Sequence, residues 1–536
     1  MFSAKNPFSN IKNDFPAGLV VYFVALPLCL AIAQASTGHS ELIFTGIIAG
    51  FVGGIIIGLI SGSQLGVSGP AAGLVVIVND GINKLGTDAA GNINYIAGFE
   101  AFLLAIVFAG VIQVLAGFMK AGIIGYYFPS SVIKGMLAAI GITLILKEYP
   151  HIMGYDKDFM GDESFDQGDG HNTFSEIYYA TRYSTVGAII ISAISLGILL
   201  LFERPVFKKF QLFKFLPGAL FVVLCGVLLN ILFGVNVPAL ALEKEHLVQL
   251  PVASNAGQFI SFFTLPDFSQ FANPMVIQTA FTLAIVASLE TLLSVEATDK
   301  LDPQKRNTPV NRELKAQGVG NIVSGLIGGL PLTQVIVRSS ANINAGGTSK
   351  TSTIIHGSIL LLSAILIPRY LNYIPLASLA AILLLVGYKL AKVSLFRQMY
   401  HLGHEQFLPF ITTIIAILLT DLLKGIAIGM AMATFFILRK NYRNAYNYSK
   451  EKSPEGDVIR LELSEEVTFL NKANISYTLD HLPKRSRVII DGSRSVNIDH
   501  DVLEIIHDYK AHMAMTKNID ITLINIPPVP EYKASH

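Results

Sequence analysis

The chain alternates between long apolar runs and short polar stretches from residue 16 to residue 439. The runs approach the ~20 residues that a helix needs to cross the hydrocarbon core of a bilayer. The first run is Asp14–Ala35, with Pro27 in its middle, and the second is Ile43–Ile60. This pattern predicts a polytopic membrane protein whose spans are helices.

One stretch at membrane depth, Gly328–Gly347, departs from the pattern. Two glycines and Pro331 break the chain, and the short apolar piece that follows soon becomes polar at Arg338. An arginine at such depth costs several kcal/mol, and broken backbone is tolerated only where it lines a cavity or is buried in protein. A half-helix that begins near Leu332 would direct its free N–H groups into that cavity, which favours an anion. A kinked helix with a structural arginine is the alternative that this stretch alone leaves open.

A matching stretch, Gln64–Asn79, lies in the first half of the chain. Glycines and Pro70 break it, and the apolar piece Ala71–Val78 is about half as long as a bilayer requires. Two interrupted short segments in corresponding places are the sequence sign of a transporter binding site. The predicted anion-binding residues are Ser68, Gly69, Ala71, Ala72, Thr333, Gln334, Val335, Ile336 and Arg338.

The other apolar runs complete two sets of seven, each with a short third member. The first set adds Phe102–Met119, Pro129–Leu146, Thr185–Phe202 and Pro217–Phe233, and the second holds Val276–Val295, Val319–Leu326, the Arg338 segment, Thr353–Ile367, Ile374–Tyr388, Phe407–Leu423 and Gly425–Leu438. An odd number of spans inverts the second copy, so we predict fourteen spans in a 7+7 inverted repeat. Basic residues in the predicted inner loops and acids in Glu148–Ser184 agree with a cytoplasmic N-terminus.

Glu290 is the second ionisable group at depth, with Ser294 one turn further on. A buried carboxylate beside a site for anions is a proton carrier, a cation ligand or a structural partner of Arg338. If it binds a cation, the cation would lie near Glu290, Ser294 and Gln334. No other metal site is predicted.

The tail changes in composition after Tyr442, and we predict a transport domain over residues 1–442 and a tail domain over residues 453–536. Alternating strands and helices indicate a small α/β fold. The predicted strands are Val458–Leu463, Val467–Leu470, Arg487–Asp491 and Ile519–Ile524, and the predicted helices are Lys472–Leu482 and Asp499–His512. Without a glycine-rich phosphate loop or an acid/base cluster, a folding or assembly module is favoured over a ligand sensor.

Composition narrows the function classes. The net charge is +1 and no dense basic tract is present, so nothing points to nucleic acid. Cys29 and Cys225 both lie in apolar runs, which gives no disulfide or zinc framework. The polar start of the chain lacks a cleavage pattern, which indicates an uncleaved first span. No nucleophile–base arrangement is visible, so an enzyme is not expected.

The chain resembles the sulfate permease (SulP) family of anion transporters over nearly its whole length. The resemblance is carried by Asp14–Ala33, Gly66–Gly73, Phe128–Ile142, Ser288–Lys300, Gly328–Gly347 and Ile374–Tyr388. It implies fourteen spans, a nucleobase-transporter-like fold, a cytoplasmic STAS domain and a homodimer. The stretches around Glu290 and after Arg338 look most like the sodium-dependent bicarbonate branch. That branch has an aspartate and a threonine in place of Glu290 and Ser294, and small residues in place of Gln334 and Val335, which puts sodium coupling in doubt. DGSRS, at Asp491–Ser495, suggests Ser493 as a regulatory serine.

The expected protein is therefore a secondary-active transporter of a small inorganic anion, bicarbonate or sulfate with a slight preference for bicarbonate. It would lie in the inner membrane, in contact with lipid, with both termini cytoplasmic. A core of the two half-helices and Val276–Val295 would move against a gate that includes Thr185–Phe202 and Phe407–Leu438. The alternatives are an anion channel and a membrane-tethered sensor that signals through its tail.

Overall fold

The structure is a computed structural model that describes residues 10–87, 94–157, 172–204, 218–253, 255–443, 445–453 and 456–529. The chain divides into two compact units, Met1–Met430 and Ala431–His536. Within the described ranges, the first unit is almost entirely helical and the second contains a mixed sheet.

Two very short strands interrupt the helices of the first unit, β1 (Ser68–Pro70) and β2 (Leu332–Gln334). The helices are α1 (Ile11–Thr37), α2 (Phe44–Ile60), α3 (Val75–Gly86), α4 (Tyr95–Phe118), α5 (Ser130–Met153), α6 (Thr173–Arg182), α7 (Val186–Glu203), α8 (Gly218–Asn236), α9 (Ala256–Ile260), α10 (Pro274–Leu301), α11 (Val310–Leu326), α12 (Ile336–Asn344), α13 (Thr351–Leu366), α14 (Pro368–Leu371), α15 (Leu376–Leu390), α16 (Val393–His401), α17 (His404–Leu419) and α18 (Leu422–Arg443), the last of which extends into the second unit.

Eight helical stretches among the described residues are long and apolar enough to cross a membrane. Seven are single helices, α1, α4, α5, α7, α8, α10 and α18, and the eighth is Leu376–His401, which joins α15 and α16. Three more apolar helices, α2, α13 and α17, are shorter. The predicted polytopic helical fold is confirmed at this level, while the count of fourteen spans stays a prediction.

Small residues allow the helices of the first unit to approach closely. A Cβ atom added at Gly54 of α2 would lie 2.6 Å from the Cα of Gly357 in α13. One added at Gly110 of α4 would lie 2.5 Å from the carbonyl oxygen of Gly318 in α11. Such backbone contact is typical of membrane helices, where packing replaces the hydrophobic effect as the driving force.

Several predicted boundaries in the first unit were wrong, two of them for identifiable physical reasons. The second half-helix begins at Ile336 rather than near Leu332, because Leu332–Gln334 pairs with β1 as extended backbone. The predicted span Val319–Leu326 is the end of a helix that already begins at Val310. The first turns of this helix contain buried polar residues, so a search for apolar runs did not include them.

The second unit is built around a four-stranded sheet. Its strands are β3 (Tyr446–Ser453), β4 (Gly456–Leu463), β6 (Arg487–Asp491) and β8 (Asp520–Ile524), in the order β3-β4-β6-β8. The β3–β4 pair is antiparallel and the other two pairs are parallel. Strands β5 (Glu466–Val467) and β7 (Asn497–Ile498) form a separate parallel pair.

Helices α19 (Lys472–Asp480), α20 (His500–Asp508) and α21 (Ala514–Lys517) complete the second unit. Alternate residues of β4 and β6, such as Ile459, Leu461, Val488 and Ile490, lie buried in its core. The unit is therefore α/β, as the sequence predicts. The predicted strand Val467–Leu470 was too long, because a 3-10 turn replaces its second half.

Candidate functional site

The two predicted breaks in the chain meet in the structure. Strands β1 and β2 pair antiparallel, with Ser68 opposite Gln334, Gly69 opposite Thr333 and Pro70 opposite Leu332. The pairing continues through the backbone N–H of Val335, which donates to the carbonyl oxygen of Val67 at 2.9 Å. The two segments are more than 260 positions apart in sequence, and the pairing brings both helix starts to one place.

Each strand leads directly into a helix whose start carries no side-chain cap. After β1, a 3-10 turn over Ala72–Leu74 precedes α3, and after β2 the extended residue Val335 precedes α12. The first N–H groups of a helix have no partner within the helix and carry the positive end of its dipole. Because the strands are antiparallel, the two helix starts lie at opposite ends of this short strand pair, here called the crossing. Their positive ends therefore flank the crossing from both sides, an arrangement suited to an anion.

Arg338 adds a full positive charge to this crossing. Its side chain is fully buried, and in the described part of the chain none of its three guanidinium nitrogens has a hydrogen-bond partner. A Cβ atom added at Gly69 would lie only 2.0 Å from one of these nitrogens, so glycine at this position makes room for the guanidinium against β1. Arg338 is therefore not hydrogen-bonded to Glu290 in this conformation.

Two further buried side chains lie within electrostatic range of Arg338: the thiol of Cys29 on α1 and the imidazole of His356 on α13. In the described residues neither ring nitrogen of His356 has a hydrogen-bond partner. This proximity could not be predicted from the sequence, because each of the two residues stands alone in its apolar run.

Glu290 lies on α10, on the side of the first half-helix. A Cβ atom added at Gly73 would be 3.2 Å from both of its carboxylate oxygens, so the carboxylate faces the 3-10 turn that opens this half-helix. Glu290 and Ser294 are both buried. A negative charge in this place gains from the helix dipole and competes with an anion for it.

Gln334 connects β2 to α10. Its side-chain nitrogen donates to the hydroxyl of Thr298 at 3.0 Å and to the carbonyl oxygen of Ser294 at 3.4 Å, and its backbone N–H donates to the hydroxyl of Thr291 at 3.3 Å. The three residues proposed for a cation, Glu290, Ser294 and Gln334, therefore lie on one side of the crossing.

A polar face of α11 that was not predicted holds the crossing in position. The amide nitrogen of Gln317 donates to the hydroxyl of Ser68 at 2.6 Å and to Glu313 at 2.9 Å. Asn321 accepts from the backbone N–H of Leu332 at 2.6 Å and donates to its carbonyl oxygen at 3.1 Å. The available signal was the four-residue spacing of Glu313, Gln317 and Asn321, which places them on one helix face.

The structure brings all nine predicted anion-site residues to the crossing, with different exposure. Ser68, Gly69, Ala71, Thr333, Gln334, Ile336 and Arg338 are buried, while Ala72 and Val335 are half-buried. The hydroxyl of Ser68 already accepts a hydrogen bond from Gln317, and that of Thr333 points to its own strand, with the carbonyl oxygen of Gln334 3.5 Å away. Backbone N–H groups near Ala72 and Ile336 are therefore the more available donors.

These features define a class: a helical polytopic membrane protein in which two broken segments cross and present their helix starts to one site. The family model described as "Sulfate permease family" matches residues 11–435 of the chain. The chain belongs to this family of anion transporters.

Among its relatives, the putative sulfate transporter YvdB of Bacillus subtilis is 28% identical over 490 residues, 89% of this chain and 84% of the relative. The bicarbonate transporter BicA of Picosynechococcus is 25% identical over 466 residues, 85% of this chain and 75% of the relative. These relatives are named as transporters, in agreement with the expectation that the chain is not an enzyme.

Two solved structures share the fold. The transmembrane domain of a cyanobacterial BicA aligns with a TM-score of 0.52 at 22% identity, covering 80% of this chain and 98% of that domain. The overall structure of SLC26A9 aligns with a TM-score of 0.64 at 16% identity, covering 97% of this chain and 85% of that one.

Proposed function

We propose that this protein is a secondary-active transporter that binds a small inorganic anion between the starts of its two half-helices. The observation that carries the proposal is the antiparallel β1–β2 crossing, with an uncapped helix start after each strand. The buried guanidinium of Arg338 beside Gly69 raises the positive potential of the same place.

The proposed substrate is bicarbonate or sulfate, because relatives named as transporters of each are similar to this chain over most of their length. We slightly favour bicarbonate, because the sequence around Glu290 and after Arg338 looks most like the bicarbonate branch of the family. We further propose the fourteen-span inverted repeat, an inner-membrane location with both termini cytoplasmic, a homodimer and a STAS-like tail, all of which follow from the family resemblance.

Transport would proceed by movement of a core against a gate. The core would hold the crossing together with α10, which the hydrogen bonds of Gln334 join to β2. The gate would include α7, α17 and α18. Since both helix starts and Arg338 belong to one connected group, the site would move as a unit and face the two sides of the membrane in turn.

Glu290 is the proposed coupling residue, which would take up a proton or a sodium ion together with the anion. As a bare carboxylate beside Gly73 it opposes an anion, so it helps transport only if it is neutralised as the anion enters. Glu290→Gln mimics the neutral form, so anion binding should survive while the pH or cation dependence of uphill uptake disappears. If Glu290→Gln abolishes anion binding in a folded protein, the carboxylate is structural and the coupling proposal fails.

Anion uptake by proteoliposomes that contain the purified protein distinguishes a transporter from an anion channel. Labelled bicarbonate, sulfate and chloride would each be supplied with and without unlabelled anion inside the vesicles. A transporter gives uptake that saturates with concentration and is accelerated by internal anion. Flux that rises linearly with concentration and ignores internal anion would favour the channel.

A further inference from the structure

A second cluster of titratable side chains lies outside the anion site, after the end of α5. Gly154 ends this helix in a left-handed conformation, with φ of 72°, and the chain turns back toward the helix. The turn brings one carboxylate oxygen of Asp156 within 2.5 Å of Nδ1 of His151. From the segment between α8 and α9, Nδ1 of His246 reaches the other oxygen, also at 2.5 Å.

This cluster is well shielded from solvent. The side chains of His151 and Asp156 are each 2% exposed and that of His246 is 10% exposed. Glu148, one turn before His151, is fully buried, and in the described residues neither of its oxygens has a hydrogen-bond partner. Glu176 on α6, and Glu243 and Glu245 on the segment of His246, also act on the cluster through their charge. Two lysines adjoin these groups in sequence, the buried Lys147 before Glu148 and Lys244 between Glu243 and Glu245.

The cluster borders a cavity of about 170 Å³, here called the Gln34 cavity. Its lining comes from α1, the start of α2, the turn after α5, the segment of His246 and the start of α15. The lining residues are Pro27, Leu30, Ala31, Gln34, Ile43, Asp156, Glu245, Leu247, Val248, Gln249 and Leu376. The charged lining residues are two carboxylates, Asp156 and Glu245, which is unexpected beside helices that surround an anion site.

The protonation of His151 and His246 determines whether the negative charges of these two carboxylates are neutralised. With both imidazoles protonated, the charges of His151, His246, Asp156 and Glu245 sum to zero, and with both neutral they sum to minus two. The segment of His246 is also fixed at its far end. Leu250 accepts from and donates to the side chain of Asn372, so the segment is held beside the cavity.

We propose that His151, Asp156 and His246 form a proton-binding site that sets the electrostatic potential of the Gln34 cavity. Protons bound there allow anions to enter the cavity, and their loss repels anions without any change at the β1–β2 crossing. The ligand is the proton, and the controlled quantity is the local concentration of anions.

The expected pH range follows from the groups outside the spans. The hydrogen bond to Asp156 raises the pKa of His246 above its ordinary value. Burial alone would raise the pKa of Asp156, but the hydrogen bonds from His151 and His246 hold it below its ordinary value. Asp156 therefore stays ionised at neutral pH, and His246 loses its proton only as the pH rises through its raised pKa, above the usual ~6.5. The potential should turn negative on the alkaline side.

A cysteine in the cavity measures this potential directly, whether or not the protein is transporting. In a Cys225→Ala background that keeps the fully buried Cys29, Gln34→Cys would be modified with an anionic and a cationic methanethiosulfonate of similar size. The ratio of the two rates cancels the titration of the thiol. We expect the anionic-to-cationic ratio to fall roughly tenfold between about pH 6 and about pH 9.

Three variants identify the responsible groups. His246→Gln should lower the ratio already at the acidic end, while His246→Lys should keep it high at both ends. Glu245→Gln, at an exposed residue whose carboxylate lies 3.6 Å from Nε2 of His246, removes one negative charge from the cavity wall and should raise the ratio at alkaline pH. The matched control is His404→Gln, an exposed histidine at the start of α17, which should keep the parent profile. A ratio that ignores pH in the parent, or a parent-like profile in both His246→Gln and Glu245→Gln, would overturn the proposal.

Discussion

Arg338 places a charge in the interior of the first unit, against Gly69, with no acceptor on its guanidinium in the described residues. Arg338→Ala should weaken anion binding by about 1–3 kcal/mol, the range for the loss of a charged hydrogen-bonding group. Calorimetric titration of the purified protein with bicarbonate and with sulfate measures the loss. Arg397→Ala, at an exposed arginine on α16, is the control and should leave affinity unchanged. Equal affinity in Arg338→Ala and the parent would remove Arg338 from the site.

Candidate functional residues could be recognised from the sequence where a charged side chain lies in an otherwise apolar run. Arg338 and Glu290 stand out in the sequence because a charged side chain at membrane depth is unfavourable in free energy and is usually functional. Their neighbours did not follow from the sequence. Arg338 lies against Gly69 and Glu290 lies against Gly73, and both contacts depend on a pairing between distant segments. The proximity of His356 to Arg338 likewise depends on how the helices pack, so His356 could not be recognised from the sequence.

Among the elements, α11 fixes the crossing through Asn321. This side chain satisfies both the N–H and the carbonyl oxygen of Leu332 in a buried place, and its amide nitrogen also donates to Gln113 at 2.7 Å. Asn321→Leu should destabilise the fold by about 1–3 kcal/mol, because buried backbone groups lose their partners.

Thermal unfolding of the purified protein measures this effect, with Gln113→Leu as the comparison. Gln113→Leu removes another partner of the Asn321 amide but leaves Leu332 satisfied. Its unfolding midpoint should therefore fall less. Equal midpoints for the two variants would mean that α11 does not hold the crossing through Leu332.

The existence of the main helices could be predicted from periodicity, but the residues at which they begin and end could not. Apolar length indicated the membrane helices, and paired glycines and prolines indicated the two breaks. The strand pairing of Ser68–Pro70 with Leu332–Gln334 was missed, because three-residue strands carry no periodic signal. That pairing moved the start of the second half-helix by four residues, from Leu332 to Ile336.

At the scale of the whole molecule, the tail is proposed to be separable from anion binding. Deletion after Arg443, which removes the whole of strand β3 as well, should leave anion affinity within about twofold while lowering the transport rate or the assembly of dimers. Affinity by calorimetry and mass by light scattering report the two effects. Loss of anion affinity in a folded, dimeric remainder would contradict this separation.

The fold class was predictable because two features repeat along the chain: the apolar runs and the interrupted segments. The domain boundary at residue 453 was drawn from composition, and strand β3 lies before it, in the same sheet as β4. The polar residues of Tyr446–Ser453 resemble a linker, and only their pairing with β4 makes them a strand. The boundary and the count of spans remain predictions.

Protection of a cysteine at the crossing tests the central claim that the anion binds between the two helix starts. Ala72→Cys, at a half-buried residue in the turn after β1, would be alkylated in the Cys225→Ala background at increasing anion concentration. The transported anion should slow the reaction, with half-protection at the concentration that half-saturates uptake. Gln398→Cys, on the exposed surface of α16, should react at a constant rate. Alkylation of Ala72→Cys that is unaffected by an anion at saturating concentration for transport would show that the anion binds elsewhere.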